Sequence, residues 1–106
     1  MASANDFDFW LGTWDVTWGE GLSATNQVEQ ILDGAVIRET FDGQPGAAFQ
    51  GNSWSVFSPR LGYWRQTWVG KQGSYWAFTG GQEGERFILA TDDVRDGRPV
   101  KLRMVF

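Results

Sequence analysis

Asn26-Gln27-Val28-Glu29-Gln30-Ile31-Leu32-Asp33-Gly34-Ala35-Val36-Ile37-Arg38-Glu39-Thr40-Phe41 is the stretch on which the fold turns. Asp33-Gly34 suits a two-residue hairpin turn, because both positions tolerate the positive φ that a twisted ribbon demands. Closing the chain there sets Leu32 opposite Ala35, Gln30 opposite Ile37, Val28 opposite Glu39 and Asn26 opposite Phe41. The other row pairs Ile31 with Val36, Glu29 with Arg38 and Gln27 with Thr40. Glu29 and Arg38 then form a surface ion pair, worth about 0.2–1 kcal/mol. With that row in solvent, Val28, Ile37, Glu39 and Phe41 face inward. Glu39 is the anomaly, because a buried carboxylate needs a partner or holds its proton.

Outward from the hairpin the chain repeats the same grammar. Fourteen glycines and three prolines interrupt short runs of Trp, Phe, Val, Ile and Thr. Strand-length runs with regular turn signals mark an all-β sandwich or barrel. Before the hairpin, residues 13–20 alternate, with Trp14, Val16 and Trp18 on one face and Thr13, Asp15 and Thr17 on the other. After it, residues 42–47 read as a loop and 48–57 as a strand. A turn over 58–62 leads into a strand at 63–69 with Trp64, Gln66 and Trp68 on one face.

Closing the next turn symmetrically over Gly70-Lys71-Gln72-Gly73 sets Trp68 beside Tyr75, Gln66 beside Ala77 and Trp64 beside Thr79. Strands follow at 74–79, 85–91 and 100–106, with 92–99 as a polar loop. No stretch sustains a helical period over three turns. Residues 5–11 have room for one helical turn, capped by Asn5 or Asp6. The expectation is one domain over residues 1–106, an antiparallel up-and-down barrel of about eight strands. If the sheet does not close, its outer strands are open edges that invite a second chain.

Composition excludes several chemistries. The chain has no cysteine and no histidine. Thiol nucleophiles, zinc–thiolate sites, Ser-His-Asp triads and histidine-ligated metals are therefore out of reach. A net charge of −4 without a basic run argues against nucleic acid and against anionic membrane surfaces. The opening residues carry neither a signal peptide nor a transmembrane span, so the expected location is cytoplasmic. No metal and no cofactor are expected. Asp92, Asp93 and Asp96 lack the spacing of an EF-hand loop and read as a solvated hairpin tip.

Phe7-Asp8-Phe9-Trp10-Leu11-Gly12-Thr13-Trp14-Asp15-Val16 contains the Gly-x-Trp signature of the lipocalin and calycin group. The run resembles the opening of a bacterial lipocalin-like family of undefined function. Residues 51–59, Trp64-Arg65-Gln66-Thr67-Trp68-Val69 and the glycine-rich turn at 70–73 resemble the same family. The resemblance implies a short helical plug before the first strand and a ligand cavity inside a barrel. It also implies an arginine from a late strand packed on Trp14, for which Arg103 is the candidate. Members usually continue for further strands beyond the position of Phe106, so the barrel here is expected to be incomplete or completed between subunits. Haem-binding relatives use a histidine that this chain lacks.

The candidate ligand-binding residues are Glu39, Ser53, Trp64, Gln66, Trp68, Tyr75 and Arg103. Indoles, an amide and a phenol on one face supply flat apolar walls with a few directional polar groups, as ligand pockets do. The plainer alternative is a filled core with Gln66 bonded to the backbone. Ser53 and Ser55 either leave room for a ligand or accommodate the Trp neighbours. Trp76 and Phe78 are expected on the opposite face from Trp68, where exposed aromatics suggest a homodimer contact. The leading functional expectation is binding of a small hydrophobic molecule. The alternative is a cofactor-independent cyclase or isomerase with Glu39 or Tyr75 as the proton handler.

Overall fold

A computed structural model describes residues 3–18, 22–43 and 50–106. Eight strands follow one another: β1 (Gly12–Trp18), β2 (Leu22–Ile31), β3 (Val36–Asp42), β4 (Gln50–Ser58), β5 (Tyr63–Gly70), β6 (Tyr75–Glu83), β7 (Arg86–Arg95) and β8 (Arg98–Val105). Each pairs antiparallel with the next, in the spatial order β1 to β8. This is the up-and-down meander expected from the turn spacing. The meander does not close: β1 and β8 share no ladder and stay as edges. Between them Phe106 packs edge-on against Trp10 at 5.2 Å, side-chain packing where a barrel would have hydrogen bonds.

The expected helical plug is also absent. Asp8–Trp10 forms a three-residue 3-10 turn, held by i to i−3 bonds such as Trp10 N–H to the Phe7 carbonyl at 3.1 Å. What seals this end of the curled sheet is one ring. Phe7 is fully buried, stacked on Phe87 at 3.9 Å and on Trp10 at 4.6 Å. It also meets Trp64 and Phe106 edge-on, tying the segment before β1 to β5, β7 and the residue after β8.

The Asp33-Gly34 hairpin forms in the expected register, with Val28 opposite Glu39 and Glu29 opposite Arg38. Asp33 and Gly34 take φ of 58° and 83°. Leu32, at φ 53°, joins them in the left-handed region, a strained position for a branched side chain. Glu29 and Arg38 face each other without closing to an ion pair. Val28, Ile37 and Glu39 are buried, as the outward placement of the charged row requires.

The β5–β6 turn departs from the symmetric reading. Gly70 N–H bonds to the Ser74 carbonyl and Gly73 N–H to the Gly70 carbonyl, leaving a three-residue loop, with Gly73 at φ 96°. That is the type I turn plus left-handed glycine of a bulged hairpin. Trp68 therefore stands opposite Trp76 and Gln66 opposite Phe78. A shift of one residue exchanges the two faces of a strand. Trp76 and Phe78 accordingly lie inward, and Tyr75 lies outward.

The loop expected over 92–99 is instead strand. Asp96-Gly97 makes a second tight turn, with φ of 53° and 75°, and β7 pairs with β8 as far as Arg95 opposite Arg98. Strands β6 and β8 likewise extend beyond the expected 74–79 and start before the expected 100–106. The expected starts and ends at Glu20, Ala48 and within the 42–47 loop lie partly outside the described residues, as does the side chain of Trp18.

Candidate functional site

The inner face of β3 to β8 is layered by register. Phe57 and Trp64 belong to the sealed end beneath Phe7, followed by Ile37, Ser55, Gln66 and Phe78. One step further along lie Glu39, Ser53, Trp68 and Trp76, and beyond them Phe41 and Gly51. Small and large residues alternate across the β4–β5 pair, Ser53 against Trp68 and Ser55 against Gln66. The extreme case is Gly51. A Cβ there would stand 2.3–2.5 Å from the Trp68 ring, so the indole occupies the volume of the missing side chain.

Beyond the sealed end the concave face opens into a trough of about 410 Å³. Phe41, Trp68, Trp76, Phe78, Leu102, Met104 and Phe106 supply its apolar wall, and Glu39 is its acidic residue. That volume falls within the range of small-molecule pockets. A second recess of about 450 Å³ lies beside the open edge, lined by residues including Trp14, Asn26 and Phe106. Phe106 borders both, and Asn26 bonds to the carboxylate in the trough, so the unclosed side of the sheet adjoins the interior.

Glu39 is 9% exposed. Ser53 Oγ donates to its Oε1 at 2.7 Å and Asn26 Nδ2 to its Oε2 at 2.9 Å. Burial raises its pKa above the ordinary carboxyl value, with the Ser53 and then the Asn26 hydrogen bonds pulling the other way. Among the described residues no cation takes part in that balance. Two neutral donors fill two of about four acceptor positions on a carboxylate, leaving lone pairs for another group. Nearby, Gln66 Nε2 donates to Ser55 Oγ at 2.8 Å. Asn26 Oδ1, Gln66 Oε1 and Trp64 Nε1 are buried without a hydrogen-bond partner among the described residues.

Of the residues singled out in the sequence, Glu39, Ser53, Trp64, Gln66 and Trp68 are buried together on the inner face. Only Glu39 and Trp68 of these line the trough; Trp64 belongs to the sealed end, and Gln66 is bonded to a side chain, not to the backbone. Tyr75 does not join them: it is 63% exposed on the outer face. Arg103 sits opposite Ala90, on the other row of β8 from Leu102 and Met104, and only borders the trough with an exposed side chain. Trp14 has no barrel base to close and stays 43% exposed, its indole N–H donating to the Trp10 carbonyl at 2.8 Å.

The residues that sequence reasoning assigned to no ligand site are Phe41, Trp76, Phe78, Leu102, Met104 and Phe106 in the trough wall, and Asn26 beside them. Asn26 carried a signal, since the hairpin register already placed it inward, one step diagonally from Glu39. Trp76 and Phe78 were hidden by the misread turn. Among the described residues no three acidic side chains converge as a metal site would require. No known protein family, curated protein or solved structure matches the chain.

Proposed function

We propose that this chain is a lipocalin-like binding protein that holds a small, mostly apolar molecule in the trough between β3, β5, β6 and β8. The observation that carries the reading is the trough itself: about 410 Å³ walled by aromatic and aliphatic side chains, with the buried carboxylate of Glu39 among them. Aromatic walls supply most of the contact area, and one fixed polar group orients the guest. The lipocalin-like opening at residues 7–16 fits this reading but adds no ligand identity.

Titration of tryptophan emission with the neutral probe N-phenyl-1-naphthylamine tests it, because Trp68 and Trp76 border the space the probe would fill. Saturable binding is expected, and Leu102→Trp, which fills the trough, should abolish it. Absence of saturable binding, or equal binding by the Leu102→Trp variant, overturns the proposal. Catalysis by proton transfer has less support, because of its two candidate proton handlers Tyr75 lies on the outer face and only Glu39 lines the trough.

A further inference from the structure

We infer that the trough selects an organic ammonium, an amine with an apolar body, over alcohols and carboxylic acids of the same shape. The inference rests on the binding reading above and adds the chemical class of the guest. Its starting point is a carboxylate in the wrong place. Glu39 lines an apolar space, is almost wholly buried, and is held by Ser53 and Asn26, both neutral donors. A buried charge is ordinarily paired, because desolvation costs more than neutral hydrogen bonds return. Among the described residues no cationic side chain pairs with Glu39. Arg103, the one cation that borders the trough, belongs to the outward row of β8.

The surrounding walls fit the same guest. Phe41, Trp68, Trp76 and Phe78 all line the trough with Glu39. Aromatic faces attract ammonium groups, and the attraction grows when water is excluded. A guest amine would give Glu39 the missing counter-charge, use its free lone pairs, and keep its Ser53 and Asn26 bonds intact. A guest carboxylate would meet like charge at close range in a desolvated site, which is strongly unfavourable. A neutral alcohol would gain one hydrogen bond without neutralising anything.

Calorimetric titration of the whole chain with 2-phenylethylamine, 2-phenylethanol and 3-phenylpropanoate at neutral pH separates these cases. The amine should bind about tenfold or more tightly than the alcohol, and the acid weakest of the three, as a charge-assisted hydrogen bond implies. Glu39→Gln should erase the preference for the amine, bringing the amine and alcohol affinities to within about twofold of each other. Trp76→Leu keeps an apolar wall without the ring and should weaken the amine more than the alcohol. Equal amine and alcohol affinities, a preference for the acid, or an amine preference that survives Glu39→Gln overturns the inference and leaves the trough as a general apolar site. Failure of all three guests to bind overturns both readings.

Discussion

Phe7→Ala removes a ring that touches the sheet from a segment outside it, which makes it a sharp test of how this open fold is held shut. Phe7 is fully buried, and truncating such a ring costs about 3–5 kcal/mol. Its stacking on Phe87 at 3.9 Å would place the cost high in that range. Its position in the segment before β1, outside every ladder of the sheet, acts the other way, because residues 3–11 can undock and relieve the cavity. The expected loss is therefore about 3 kcal/mol. Domains of this size have about 5–15 kcal/mol in total, so the variant should lose a large share of its stability. Phe9→Ala is the matched control: Phe9 is 53% exposed and contacts the cluster only at its margin. Its expected cost is about 1 kcal/mol. Urea unfolding followed by tryptophan emission measures both, and heat should unfold Phe7→Ala more than about 10 °C below the parent. A Phe7→Ala loss within about 1 kcal/mol of zero, or equal losses at the two positions, would refute the idea that this ring seals the end of the sheet.

Four further outcomes are expected. Between the ordinary carboxyl pKa and the raised value of Glu39, the folded state keeps a proton that the unfolded state has released. Stability therefore falls as pH rises through that window, and this slope should flatten in Glu39→Gln, as denaturant midpoints across acid and neutral pH will show. In the same variant the new amide donates to Asn26 Oδ1 once the Asn26 amide turns over, so its stability at neutral pH should equal or exceed the parent's. Gly51→Ala forces its Cβ into the Trp68 indole and should cost about 1–3 kcal/mol, with a shift in tryptophan emission that reports the displaced ring. Gly73→Ala has open space around its Cβ and suffers only from φ 96°, so it should cost about 1 kcal/mol and leave emission unchanged.

What the sequence disclosed was governed by turn chemistry. Asp33-Gly34 fixed a register, and with it the inward aim of Glu39, because a two-residue turn admits little ambiguity. Asp96-Gly97 carries the same dipeptide, but it sits among Asp92, Asp93, Arg95 and Arg98, and that density of charge reads as a loop. The strand forms there because the β7–β8 ribbon needs only its ladder and a tight turn, with no buried row at its tip. Gly70-Lys71-Gln72-Gly73 contains glycines at both ends and admits two closures that differ by one residue. Choosing the even one exposed Trp76 and Phe78 and buried Tyr75, the reverse of the observed faces. Only the partner strand decides, by offering Trp68 and Gln66 for the inner row. The open edge was legible as an alternative and no more, since closure depends on the accumulated twist and stagger of all eight strands.

An unzipped side changes how fast a guest could come and go. In a sealed cup, exchange waits for loops at the rim to swing away. Here the recess beside Trp14 and Phe106 runs along the flank, next to the carboxylate's own hydrogen-bond partner Asn26. A molecule leaving sideways through that slot breaks no backbone ladder. For a guest held as proposed, residence time would be set by the grip of the trough walls, because the flank between β1 and β8 has no ladder to break.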